Sequence, residues 1–107
     1  MNEDTRLILM TAPSADVAAG IVRVLLDEKL VACGNILPSI TSMYRWEGRV
    51  EESSEAMVML KTTAVLAMEA VARIEQVHPY DVPEAIVVDI RAGSNAYLRW
   101  INESTKG

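Results

Sequence analysis

Ala56-Met57-Val58-Met59-Leu60 is an unbroken apolar run between Glu55 and Lys61, and its reading decides the fold. A strand with one face in water alternates apolar and polar side chains, and this one does not. Neither does Arg6-Leu7-Ile8-Leu9-Met10-Thr11, which ends at Ala12-Pro13, nor Ala85-Ile86-Val87-Val88-Asp89-Ile90. Short apolar runs closed by turn residues read as buried strands. On the expected pleat, Leu7, Leu9, Val58, Leu60, Ile86 and Val88 line one face of a sheet; Ile8, Met10, Met57, Met59 and Val87 line the other. Leaving about five such side chains in water forfeits roughly 1.5–3 kcal/mol each. The sum rivals the whole stability of a small domain, about 5–15 kcal/mol. Both faces therefore need a cover, and self-association is the expected cover for the second.

Between these strands the pattern turns helical. Ser14 is an N-cap with Asp16 beside it near the positive helix end. Val17, Ile21, Val24 and Leu25 recur at helical spacing over roughly Ala15 to Lys29. Asn35 to Trp46 alternates, with Ile36, Ile40, Tyr44 and Trp46 on one side and Ser39, Thr41 and Arg45 on the other, which indicates a long strand. Pro38 inside it has no amide hydrogen and implies an edge position or a bulge. Glu47-Gly48 reads as a hairpin turn, and the chain returns through Glu51 to Glu55. Thr62 or Thr63 caps a second helix whose face carries Val65, Met68, Val71, Ile74 and Val77, and Pro79 stops it. Asn95 to Glu103 reads as a short C-terminal helix. The order βαββαβ plus a tail is the split βαβ, ferredoxin-like α+β arrangement, with two helices on one face of a four-stranded antiparallel sheet.

The 107 residues fit one domain, 1–107. A net charge of −5 without any run of Lys or Arg argues against a nucleic-acid partner. The single cysteine, Cys33, cannot form an intramolecular disulfide, which suits a reducing compartment. No leader pattern is seen, and the stretch from Ile21 to Leu26 is far short of the ~20 residues a membrane helix needs. A cytoplasmic protein without a membrane contact is expected.

Several strings, in this order and on this pattern of elements, resemble the CutA divalent-cation-tolerance family. They are Thr11-Ala12-Pro13, Leu30-Val31-Ala32-Cys33-Gly34-Asn35-Ile36, Tyr44-Arg45-Trp46-Glu47-Gly48, Lys61-Thr62, His78-Pro79-Tyr80-Asp81-Val82-Pro83-Glu84 and Tyr97-Leu98-Arg99-Trp100-Ile101. The resemblance implies a ferredoxin-like subunit in a PII-like homotrimer built by sheet packing and strand pairing. It also implies binding of copper or another divalent cation, in metal homeostasis or signalling, with no organic cofactor. The alternative within the same architecture is a trimeric scaffold that anchors an unidentified protein partner.

His78 is the sole histidine, between a helix end and a stiff Pro-Tyr-x-x-Pro loop. Imidazole suits copper, nickel and zinc, and Glu84 offers a carboxylate oxygen. The competing reading is a histidine that caps helix carbonyls, with Tyr80 and Glu84 fixing the loop. Some relatives carry a cysteine where Met10 stands and a second histidine where Val77 stands. Met10 reads as a core residue, or as a thioether ligand acceptable to Cu(I); Val77 cannot ligate.

Cys33 reads as a small packing residue, with a ligand or redox role as the alternative. Tyr44, Arg45, Trp46 and Glu47 form a hairpin tip suited to a ligand cleft or a subunit junction. Arg45 lying on the Trp46 face is worth about 0.5–2 kcal/mol. Lys61 leaves its strand where an anion might be met, or is simply solvated.

Two other classes fail on the residues. An acylphosphatase-like hydrolase needs a cradle of amides and an arginine after the first strand, and Thr11-Ala12-Pro13-Ser14-Ala15 has no arginine and a proline. No catalytic Ser/His/Asp set is visible, so no enzyme activity is expected. An RNA-recognition module needs aromatics on its central strands in a basic field, and these strands carry aliphatic and Met residues.

Overall fold

The computed structural model describes residues 4–107. Its elements are β1 (Thr5–Ala12), α1 (Ala15–Asp27), β2 (Cys33–Trp46), β3 (Arg49–Thr63), α2 (Ala64–Val77), β4 (Ala85–Asp89) and α3 (Asn95–Ser104). The sheet is antiparallel in the order β2-β3-β1-β4. This is the ferredoxin-like arrangement that the element order predicts.

The helix boundaries follow from local chemistry. Ser14 Oγ accepts from the Val17 amide at 3.2 Å, and Thr63 Oγ1 accepts from the Leu66 amide at 3.3 Å, each satisfying an orphan donor. Helix α1 stops two residues short of Lys29, because Lys29 adopts φ +58°. The Lys29 and Leu30 amides then return to Leu26 O and Leu25 O, a Schellman closure built on a lysine instead of the usual glycine. His78, before Pro79, has ψ 140°, the extended geometry that proline imposes on its predecessor.

Ile8, Met10, Ala12, Val58 and Leu60 are buried against Ala18, Ile21, Leu25, Ala70 and Ile74 of the helices. The register pairs Ile8 with Leu60 and Met10 with Val58. Hence Val58 and Leu60 belong to the helix-covered face, while Met57 and Met59 share the outer face with Leu7, Leu9, Ile86 and Val88. This corrects the expected phase of β3. An apolar run carries no alternation to fix its phase, so only pairing decides it.

The α2 face is also rotated from expectation. Ala67, Ala70, Val71 and Ile74 are buried, whereas Val65 is 88% and Met68 66% exposed. The alanines let the helix approach closely, so the bulkier apolar residues at its start turn outward.

Gly34 makes a similar close approach on β2. A Cβ there would lie 2.8 Å from Val22 Cγ1 and 2.9 Å from Leu60 Cδ2.

On the outer face, α3 packs against β1 and β3, with Ile101 fully enclosed. It covers one end only, since Leu37, Ile86 and Val88 remain 38–52% exposed. Beyond the body, β2 and β3 continue as a two-stranded ribbon. β1 pairs β3 only from Ala56 to Thr63, and residues 49–55 pair only with β2. The ribbon extends the molecule to 48 × 25 × 21 Å. It turns at Glu47 (φ +50°) and Gly48 (φ +81°), the two positive values of a type I′ hairpin.

Candidate functional site

At the base of the ribbon a cleft of about 980 Å3 opens between its strands, the end of β1 and the loop after α2. Three features build it. Pro38 sits on the edge strand β2 at a bulge, where the register shifts between Leu37 and Ile40. The shift puts Ile36, paired with Val58, on the helix side, and puts Ile40, Ser42, Tyr44 and Trp46 on the opposite ribbon face with Glu55, Ser53 and Glu51. Ile36 and Ile40 therefore do not share a side as simple alternation suggests, because one extra residue reverses the pleat. Third, the loop is pinned across from this ribbon face. His78 Nε2 lies 2.7 Å from Thr11 O, and His78 Nδ1 accepts from the Tyr80 amide at 3.1 Å. Tyr80 OH then donates to Glu55 Oε2 at 2.7 Å.

The walls combine aromatic rings and carboxylates. Tyr44, Trp46 and Tyr80 contribute rings; Glu51, Glu55, Asp81 and Glu84 contribute carboxylates; among the described residues no Lys, Arg or His lines the cleft. Ser53 Oγ donates to Tyr44 OH at 3.4 Å. Burial, then the hydrogen bond and charge of Glu55, push the Tyr80 hydroxyl up to about 12.

Of the residues singled out in the sequence, Tyr44, Trp46, Tyr80 and Glu84 meet here, with His78 fastening the wall. Arg45 and Trp46 are adjacent on a strand and point to opposite faces, so the expected cation–π contact is not formed. Glu47 is exposed in the turn. Met10 is fully enclosed in the core beneath the helices.

Cys33 and Lys61 are cross-strand neighbours at the other end of the outer face, about 20 Å along β3 from Glu55 at the usual rise per residue. There Lys61 donates to Asn35 Oδ1. Cys33 Sγ lies 3.4 Å from Tyr97 OH, a contact that, followed by burial, pushes Tyr97 up to about 12. Cys33 is half-buried, not enclosed.

His78 has both ring nitrogens engaged in hydrogen bonds, and Met10 is fully enclosed. With the Tyr80 amide on Nδ1, the imidazole is assigned the tautomer that donates from Nε2 to Thr11, and neither nitrogen has a free lone pair. Among the described residues no three His, Cys, Asp or Glu side chains gather as one ion requires. No helix of the described residues is long and apolar enough to cross a membrane.

The residues that sequence reading missed are Glu51, Glu55 and Asp81. Glu51 and Glu55 read only as part of a returning strand, and their signal was a pair of acids four apart on a strand, hence on one face.

A βαββαβ chain with helices on one face, a projecting arm and an acidic, aromatic cleft at its base defines an arm-bearing ferredoxin-like α+β protein. The family model described as "CutA1 divalent ion tolerance protein" matches residues 6–104, and the chain belongs to that family. A divalent-cation tolerance protein CutA of Thermus thermophilus is 41% identical over 92% of this chain and 96% of its own. The mouse protein CutA is 38% identical over 91% of this chain, which spans only 55% of that relative. The crystal structure of CutA from Xylella fastidiosa superposes with a TM-score of 0.93 at 42% identity, covering 96% of this chain and 99% of that one.

Proposed function

We propose that this protein acts in divalent-cation tolerance as a homotrimer whose ligand cleft lies at a subunit junction. The observation that carries this reading is the ribbon. Seven residues of β3, 49–55, pair with β2 alone, and an isolated two-stranded hairpin is marginal in water. Its Tyr44, Trp46, Met43 and Val50 are 43–68% exposed, and Leu37, Ile86 and Val88 leave the outer face equally uncovered. Neighbouring subunits supply both covers in a closed assembly, and copies of one chain associate most simply by cyclic symmetry.

The metal function follows from the carboxylates, not from His78. Copper or another divalent ion is held by Glu51, Glu55 or Glu84 together with oxygen or nitrogen ligands from the neighbouring subunit, since one subunit lacks a full set.

Light scattering on wild type and on Ile86→Lys/Val88→Lys, with copper titration by calorimetry, tests both parts. A trimer that binds copper, with weaker binding in Glu51→Gln/Glu84→Gln and dissociation of the lysine variant, is expected. A stable wild-type monomer at micromolar concentration overturns the assembly. Copper binding unchanged by the double glutamine variant overturns the site.

A further inference from the structure

The loop after α2 is held through a single residue. Among the described residues, Tyr80 has the one amide of residues 79–84 that makes a hydrogen bond, and its acceptor is His78 Nδ1 at 3.1 Å. Pro79 and Pro83 have no amide hydrogen to give. The loop's other tie is Tyr80 OH on Glu55 Oε2 at 2.7 Å. Packing adds little at the tip, where Asp81 is exposed and Val82 is 72% exposed. Segments with few buried contacts are the ones that open at least cost in a fold.

The acceptor of that amide bond is titratable. A backbone amide only donates and a carbonyl only accepts, so Nδ1 carries the lone pair and Nε2 the proton that meets Thr11 O. The ring is therefore neutral in this arrangement. An imidazolium donates from both nitrogens, and its Nδ1 proton would point at the Tyr80 N–H. Proton uptake at Nδ1 and the Tyr80 amide bond exclude one another. The bond to Thr11 O survives, since Nε2 donates in both forms. His78 thus keeps its seat on β1 while the loop loses its anchor.

The groups around the ring do not reverse this direction. From the loop, the Tyr80 ring stands 4.7 Å away, tilted by 52°, with exposed Asp81 next in the chain and half-buried Glu84 further on. From β3, Glu55 faces the ring across Tyr80. From β1 comes only the Thr11 carbonyl. Glu75, one turn back on α2, and Asp16, in the first turn of α1, are exposed. Carboxylates favour a charged ring, whether the loop is docked or free. The amide bond alone distinguishes the two, and none of these acids bonds to Nδ1 in its place.

We propose that His78 is an acid-operated latch. Proton uptake at Nδ1 releases residues 79–84 from the end of α2 and loosens Tyr80 OH from Glu55. One wall of the cleft is thereby fastened at neutral pH and freed in acid. The latch is a ring only 8% exposed inside one chain, so it requires no open surface at a subunit junction. It goes beyond the cation-tolerance reading and is tested without a metal.

Hydrogen–deuterium exchange of peptides covering 79–84 tests it on the full-length protein. The conditions are about pH 7.5 and about pH 5.5, either side of the range in which imidazoles ordinarily titrate. His78→Asn is the reference, because an asparagine Oδ1 accepts from the amide two residues on and takes up no proton. Dividing the wild-type rate by that of His78→Asn at each pH cancels the intrinsic effect of pH on exchange. The quotient is expected to rise about three- to tenfold on acidification, the worth of one lost hydrogen bond. Peptides of α2 from the same digest give a second reference that does not depend on the variant folding. Nitrogen NMR of the imidazole follows the Nδ1 proton in parallel. Loop exchange unchanged against both references while His78 takes up its proton overturns the inference. A ring that stays neutral at about pH 5.5 overturns it as well.

Discussion

Tyr80 OH donates to Glu55 Oε2 at 2.7 Å, and this bond ties the loop after α2 to the first residue of the ribbon beyond the body of the sheet. Removing the hydroxyl leaves a nearly buried carboxylate with no donor. Tyr80→Phe is expected to lower stability by about 1–2 kcal/mol, read as a shift of the urea midpoint at unchanged m. An unchanged midpoint means that the loop and ribbon are not coupled through this bond.

Burial of Tyr80, with its bond to Glu55, and the Cys33 contact of Tyr97 set an alkaline limit. Tyr80 and Tyr97 are both pushed up to about 12 in the folded chain, against about 10 in an unfolded one. The folded state thus holds these protons more tightly. The stability they contribute is fully present below pH 10 and is lost as pH rises from about 10 through 12. Tyr80→Phe should flatten part of that loss, and Tyr80→Phe/Tyr97→Phe more of it. Equal slopes in wild type and the double variant between pH 10 and 12 would contradict this.

His78 is 8% exposed and bonds at both nitrogens. His78→Ala strands the Thr11 carbonyl and the Tyr80 amide, at a cost of about 2–3 kcal/mol. Thermal unfolding without added metal measures it. A full loss of stability in chelator-treated protein supports the fastening role, and no loss there returns His78 to the pool of free ligands.

The sequence carried the element order plainly because turn residues and caps act locally. Ser14, Pro38, Gly48 and Pro79 each do in the fold what their chemistry dictates. The phase of β3 was not legible, since Met57 to Leu60 are apolar on both sides and only pairing with β1 assigns them. The ribbon faces were hidden by the bulge at Pro38, which reverses alternation without a mark in the hydrophobic pattern. For the cleft, the rings and Glu84 were found, but Glu55 was not. Its importance comes from burial beneath Tyr80, 25 residues away in the chain, which no local pattern reports. His78 was read in two ways, and the partner that decides between them, Thr11 O, lies 67 residues away.

Lys29 holds φ +58° at the end of α1, a conformation that costs an L-residue about 1–2 kcal/mol and glycine far less. Its ammonium makes only a 3.4 Å contact with the Lys106 carbonyl. Lys29→Gly is therefore expected to raise stability by about 0.5–1 kcal/mol, after the greater flexibility of unfolded glycine is subtracted. A lower melting temperature would show that the Lys106 contact outweighs backbone strain.

Gly34 gives the opposite case, where a glycine is required by space. An alanine Cβ would stand 2.8 Å from Val22 Cγ1 and 2.9 Å from Leu60 Cδ2, distances that force α1 away from β2. Val22 is 6% and Leu60 0% exposed, so neither side chain has open space to swing into. Gly34→Ala is expected to cost about 1–3 kcal/mol as overpacking. Val22→Ala on its own opens a cavity and is also destabilising. Combined, the two changes should cost less than their sum, because the added methyl fills part of the space the valine vacates. Denaturant unfolding of the four proteins in this cycle measures the coupling, and strict additivity would mean that α1 shifts as a body instead of clashing at Val22.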